Sequence, residues 1–322
     1  MSAFRDVVQD MVGRHVVRTS SGDWDEPALR SAFAELAEQG WTRVGLPEGL
    51  GGNGGGFADA AEAVTAAAYQ GVPTPLADQV LVTNAVATRL GIPLPEECVV
   101  PVIAKAGRAA RVPWASWASH LLVADREGGV GLVEAGAARV TNGANLAGLP
   151  ADTVLLDVSP PGTGGAEAAT LIEGYGALAR GVQIAAALER CRHLTVTYLR
   201  QRKQFGRPLA TQPVVRQELA ALAGEAAAAA AAARTAVSNP RLREIAAAKV
   251  RTGLAATTGA RIAHQLHGAM GITREYELQV HTRSMWAWRD EYGSERIWAA
   301  RLGSDIRESE DDLWTAVVPA SL

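Results

Sequence analysis

The stretch WRDEYGSE, Trp288 to Glu295, sets a glutamate, Glu291, among aromatic residues and charges. Either Glu291 is a catalytic base, or it is one surface charge near Arg289 and Arg296, a kind of pairing that contributes little. A second stretch, YLRQRKQFGRPLATQ from Tyr198 to Gln212, gathers cations around a glycine turn with glutamines close by. Between two helices that combination supplies an anion contact and amide hydrogen bonds, which suits a phosphate-bearing cofactor. The competing reading is a solvated helix end.

Other motifs carry less. Gly49, Gly51 and Gly54 satisfy G-x-G-x-x-G, but the segment before them reads as helix, and the βαβ unit that a dinucleotide site requires is missing, so a structural turn is expected. His264 and His267 lie three apart, with His281 further on, yet no carboxylate or cysteine has the spacing to complete a metal site. The two cysteines, Cys98 and Cys191, are far apart and suggest no disulfide framework; Cys191 reads as a buried thiol. A reducing cytoplasm is the expected setting.

The elements that must position these residues follow from pattern. With 322 residues, 48% hydrophobic, the chain can bury a substantial core, and a net charge of −3 with mixed signs leaves no basic footprint for nucleic acid. The first residues, MSAFRDVVQDMVGRHVVRTS, hold no apolar run with a cleavage site, and no window approaches a membrane helix. Leu29, Phe33 and Leu36 mark a helix that Gly40 stops, a glycine-rich loop follows at GLPEGLGGNGGG, and DAAEAVTAAAYQG reads as a second helix. From Val99 to Asp157 the runs CVVPVIA, HLLVAD, GVGLVEA and DTVLLDV read as β-strands.

SPPGTGG, Ser159 to Gly165, is a linker by composition. Beyond it, Leu178, Val182, Ala185 and Leu188 stripe a helix reaching about Arg202, and a second passes through the eight alanines of Ala226 to Ala233. A break at SNP precedes a third helix ending near Gly268, and a last one spans about Ser294 to Glu308. The expected fold is mainly α: an N-terminal helical domain (1–97), a small central β domain (98–160) and a C-terminal four-helix bundle (166–322).

At RKQFG, Arg202 to Gly206, the chain resembles the acyl-CoA dehydrogenase family of flavoproteins, whose signature reads Arg-x-Gln/Thr-Phe-Gly. QLHGAMGITREYELQVHTR, from Gln265, is similar to the family's Q-x-x-G-G-x-G-x-x-x-E-Y segment, and GWTRVGLPEGLGGNGGG to the loop closing its first helical domain. The resemblance implies FAD, with Arg202 and Gln212 reaching the FAD of a neighbouring subunit, Gln265, Gly268 and Ala269 near its adenosine half, and Gln204, Phe205 and Ser294 also in the cofactor site. It implies an acyl-CoA substrate from fatty acid or sterol degradation, an oligomer, and an electron-transfer flavoprotein as acceptor. It implies, finally, that a carboxylate removes the α-proton of the thioester while the flavin takes the β-hydride. Such a base has to be held in a desolvated site.

The chain departs from the family at that base. Counting from Glu275 and Tyr276, the family's Tyr-Glu-Gly-Thr string falls on Glu291, Tyr292, Gly293 and Ser294, so tyrosine takes the base position and the glutamate stands one residue early. On a helix that shift turns the side chain by about 100°; a looped backbone would let Glu291 substitute. The other position used in the family falls near Gly176, with Glu173 three residues away in an expected loop. The β segment is short and lacks the family's flavin-cradling motifs. These departures resemble the degenerate subunit of heteromeric actinobacterial acyl-CoA dehydrogenases, and so two expectations stand: a dehydrogenase with Glu291 as base, or a non-catalytic subunit that completes a partner's flavin site.

Overall fold

The computed structural model describes residues 24–309 except Phe205. The N-terminal stretch examined above for a signal sequence, and the cofactor contact expected of Phe205, lie outside the described residues.

Helices α1 (Glu26–Glu38) and α2 (Phe57–Gln70) open the chain. Asp25 caps α1, accepting from Ala28 N at 3.1 Å, and Gly40 in the left-handed region ends it. Between α2 and α3 (Asn84–Leu90) lies a π-helical turn, Asp78–Thr83, buried at every residue. Widened turns of this kind leave carbonyls free and are often sites of function. Here Gln79 accepts from Val99 N at 2.7 Å, while Asn84, next after the turn, donates to Thr42 O at 3.0 Å, so the turn and the start of α3 tie the β domain to the segment leading into the glycine-rich loop.

Two three-stranded sheets make the β domain. In the first, β1 (Val99–Ala104) runs parallel to β3 (His120–Asp125), which pairs antiparallel with β4 (Val130–Glu134). In the second, β6 (Ala151–Leu156) lies between β2 (Arg108–Pro113) and β5 (Ala138–Thr141). Alternation divides the first sheet: Val100, Val102, Leu121 and Val123 pack between the sheets, whereas Val99, Leu122 and Ala124 join the main core with the helices.

The main core surrounds α4 (Gly165–Gln201), 37 residues and so roughly 55 Å long at ~1.5 Å per residue. Every residue from Gly176 to Leu188 on it is buried, the pattern of a helix covered on all faces. After the hairpin β7 (Lys203–Gln204) and β8 (Arg207–Pro208), α5 (Pro213–Ser238) and α6 (Leu242–His267) pack against α4, followed by α7 (Ala269–Ile272), α8 (Leu278–Asp290) and α9 (Glu295–Glu308). Alanines at 226, 229 and 233 are the buried side of α5, where small side chains let helices approach closely. The architecture is the mainly helical one expected, with α8 added. Glu173 sits within α4 rather than in a loop, paired with Arg126 and Arg301, because the helix begins at Gly165, directly after the linker.

The start of α8 is fixed electrostatically. Glu277 accepts from Arg190 Nε at 3.0 Å and Nη2 at 3.1 Å and contacts His281 Nε2 at 3.1 Å. Burial pushes the carboxyl up, but His281 and Arg190 outweigh it and hold it at about 2 against an ordinary 4.5. Because the folded value is depressed, this stabilisation is complete above pH ~4.5 and is lost as pH falls through about 2. With solvent screening at a part-exposed site, Glu277→Gln is expected to lower stability by roughly 2 kcal/mol at pH 7. In urea titrations at several pH values the gap to wild type should close below pH ~4; a gap unchanged down to pH ~2 would refute the pairing.

Candidate functional site

Where the β domain meets the bundle, a cleft of about 210 Å³ opens between Pro101, Ile103, Arg111, Pro113, Glu291 and Tyr292. Arg111 and Tyr292, on its opposite walls, both have positive φ, 57° and 54°. Such conformations are costly for side-chain-bearing residues and persist where the surroundings over-determine them. A bulge between Ala109 and Val112 of β2 produces the first. The end of α8 produces the second: Glu291 is already extended (φ −71°, ψ 142°), Tyr292 turns left-handed, and Gly293 follows at φ 99°. The helical phase argument for Glu291 therefore fails, because the backbone here is looped.

Behind the cleft is a buried polar cluster drawn from five parts of the chain. Arg180, 1% exposed, donates from Nη2 to Asp78 Oδ1 at 2.8 Å and Oδ2 at 2.9 Å, from Nη1 to Gln183 Oε1 at 2.7 Å, and from Nε to Glu291 Oε2 at 2.6 Å. The other Glu291 oxygen accepts from Asn145 Nδ2 at 2.9 Å, and the Tyr292 hydroxyl donates to Asp78 Oδ1 at 2.7 Å. Lys249, fully buried, donates to the carbonyls of Trp288 at 2.7 Å and Glu291 at 2.9 Å, satisfying the end of α8.

Glu291 is thus a nearly buried charge paired with Arg180, not a surface charge beside Arg289 and Arg296. Burial works against the Arg180 charge, but Asp78 and Glu291 more than restore it; burial pushes Asp78 up, with Arg180 and the Tyr292 hydroxyl pulling it down. The Tyr292 phenol is raised, by burial and then by Asp78, and stays protonated as a donor. The ring of Tyr292 lies on Gly176: a Cβ there would meet its carbons at 2.4 Å. Both positions at which the family's base was sought therefore face one another, and neither carries a carboxylate. Tyr292 was marked in the sequence only as the residue standing at the base position, and Asp78, Arg180 and Lys249 were not marked at all. Arg180 interrupts a long uncharged helical run, ALARGVQIAAAL, and that was the signal available; Lys249 lies among other charges, between Glu244 and Arg251, and gave none.

The phosphate-type residues gather elsewhere, at the bundle end formed by the close of α4, the β7–β8 hairpin, the start of α5 and the end of α6. Arg202, Gln204, Gln265, Gly268 and Ala269 are exposed there, and Gln212 half-exposed, preceding Pro213 at the head of α5. Gly268 closes α6 at φ 61°, ψ −142°, a conformation that only glycine adopts without strain. Ser294, half-buried, is the N-cap position of α9 and belongs to the cleft end instead. His264 contacts Thr282 Oγ1 at 2.9 Å and His267 the Ala263 carbonyl at 2.8 Å, each occupied within the bundle. Burial raises the Cys191 thiol.

The sequence matches the acyl-CoA dehydrogenase N-terminal domain over residues 1–93 and the acyl-CoA dehydrogenase C-terminal domain over residues 164–302. The chain belongs to the acyl-CoA dehydrogenase family. It is 28% identical over 323 residues to the acyl-CoA dehydrogenase IpdE2 of Mycobacterium tuberculosis, covering 95% of this chain and 96% of that protein. Its fold matches the ChsE4-ChsE5 complex from M. tuberculosis with a TM-score of 0.82 at 19% identity, over 97% of this chain and 99% of that one. It matches butyryl-CoA dehydrogenase from Megasphaera elsdenii with a TM-score of 0.80 at 18% identity, over 95% and 99%.

This family generally binds FAD, and the two regions differ in how they fit it. The bundle end, with an exposed guanidinium and several amides, fits a pyrophosphate. The cleft offers few side-chain donors to the carbonyls and nitrogens of a flavin ring. Pro101 and Pro113 have no N–H, both Glu291 oxygens are engaged, the Tyr292 hydroxyl is committed to Asp78, and Arg111 is the one cation in the lining.

Proposed function

We propose that this chain is the non-catalytic subunit of a heteromeric FAD-dependent acyl-CoA dehydrogenase, completing a catalytic partner's flavin site with Arg202 and Gln212. The observation that carries the reading is the state of Glu291. With one oxygen accepting from a buried guanidinium and the other from Asn145, both of its oxygens are already engaged in the cluster, and a substrate proton would have to compete with those donors for it. The poor match between cleft and flavin ring supports the same reading, as does the shared fold with a heteromeric complex. The partner would then bring the base, the ring-binding surface and the acyl-CoA pocket, with an electron-transfer flavoprotein as acceptor and the cytoplasm as setting.

A second reading, α,β-desaturation of an acyl-CoA by this chain with Glu291 as base, is favoured by one fact: Glu291 lines the cleft. Two variants in the co-purified complex separate the readings. Arg202→Ala should abolish flavin retention, measured as flavin absorbance per complex, while Glu291→Gln should leave turnover with an acyl-CoA within about twofold, on the order of 0.4 kcal/mol. Turnover lost in Glu291→Gln at normal flavin content would establish the second reading instead.

A further inference from the structure

Two cavities among the described residues each border the polar cluster. One is the cleft between β domain and bundle. The other is a small chamber of about 20 Å³, lined by Ala67, Gly71, Leu76, Ala77, Gln183 and Trp288 among others, with room for about one water. The chamber's lining borders the polar cluster directly. Ala77 precedes Asp78, Gln183 accepts from Arg180, and the Trp288 carbonyl accepts from Lys249. On the opposite side, Glu291 and Tyr292 face the cleft.

We propose that Tyr292 is a plug, a ligand-excluding residue whose ring fills the space over Gly176 and separates the cleft from the interior. The inference rests on the reading of this chain as non-catalytic and deepens it: a thioester ligand entering the cleft stops at the ring. Four contacts hold the plug. The ring sits against Gly176, where even a methyl group would come within 2.4 Å of its carbons. Its hydroxyl is tied to Asp78, and the Arg180 guanidinium lies 5.2 Å from the ring centroid. The Tyr292 carbonyl accepts from Trp298 Nε1 at 2.8 Å. The preceding carbonyl is held by Lys249, so the left-handed turn is anchored on both sides. An aromatic residue in a strained conformation, facing the one position of α4 where only glycine leaves room for it, is a matched pair rather than a chance contact.

The test needs neither flavin nor partner, so it can fail independently of the function proposed above. The full chain is titrated calorimetrically with hexanoyl-CoA and, separately, melted with and without p-cresol, which is the tyrosine side chain in free form. Tyr292→Gly suits the positive φ and empties the space; it should bind hexanoyl-CoA at least tenfold more tightly than wild type, and p-cresol should raise its Tm while leaving the wild type unmoved. Tyr292→Phe keeps the ring and should bind as wild type does. Should Tyr292→Gly not fold, Tyr292→Asn, which also tolerates a left-handed backbone, is held to the same criteria. Equal binding by wild type and the emptied variant, or a folded variant that gains neither ligand, would overturn the proposal.

Discussion

Arg180→Met is expected to lower the stability of this protein by about 3–5 kcal/mol, among the largest losses any single replacement here should cause. The guanidinium is 1% exposed and every one of its nitrogens meets an acceptor, two of the three being occupied by carboxylates. Methionine fills a similar volume, so little of the loss comes from a cavity. What remains is Asp78, wholly buried, and Glu291, nearly so, without their cation. Leaving a buried charge unpaired is the expensive step; removing both members of a buried pair is often close to neutral. The double variant Asp78→Asn, Arg180→Met should therefore lose much less than the sum of the single variants, with a coupling of roughly 2 kcal/mol or more in urea unfolding. A loss under ~1 kcal/mol in Arg180→Met would mean that solvent reaches the cluster and that it does not weld the domains together.

That weld explains why one cluster governs the site. Asp78 belongs to the π-helical turn of the N-terminal domain, Asn145 to the loop between β5 and β6, Arg180 to the central helix and Glu291 to the turn after α8. The pairing of Asp78 with Tyr292 spans 214 positions of sequence. No local pattern announces contacts of that range, and the one between Arg180 and Glu291, 111 positions apart, converts Glu291 from a candidate base into one arm of an ion pair. The sequence displayed the residue and its neighbours; the identity of its partners required the fold.

Elements were legible where burial and pattern coincide. Leu178, Val182, Ala185 and Leu188 mark α4 because a central helix needs apolar contacts, and the runs from Val99 and His120 mark β1 and β3 because both faces of that sheet are covered. Helix α8 went unread for the converse reason. Its buried positions include Gln279, His281, Thr282 and Ser284, polar residues that interrupt the apolar stripe of Leu278, Met285 and Trp288. Strand β2, RAARVP, was obscured by its bulge, which exposes Arg111 and breaks the alternation, and β5 is only four residues long. Glu173 was misplaced because the linker's glycines run into the first residue of α4, where no side chain caps the helix.

Lys249 gives the cluster a dependence on pH of the same sign as that of Glu277, but in the alkaline window. Its ammonium is fully buried, and burial, then the Arg180 charge, pull it down from 10.5 to about 7, with Glu291 and Asp290 working the other way. An unfolded chain binds this proton up to about 10.5, whereas the folded chain releases it near 7. Between those values the unfolded state holds more protons, so stability rises with pH across the window. The contribution is complete above the unfolded value and is lost as pH falls through the folded one. Even discounted for relaxation of the site, the change from pH ~7 to pH ~10 should be roughly 3 kcal/mol in favour of the folded state. Lys249→Met deletes the titration but also leaves the Trp288 and Glu291 carbonyls without their donor, a cost of about 1–3 kcal/mol that does not vary with pH. Plotted against pH, the stability difference between wild type and Lys249→Met should therefore widen from neutral to alkaline conditions. Parallel curves would mean that the ammonium keeps its proton throughout, held by the two carbonyls and the neighbouring acids more strongly than burial and Arg180 oppose it.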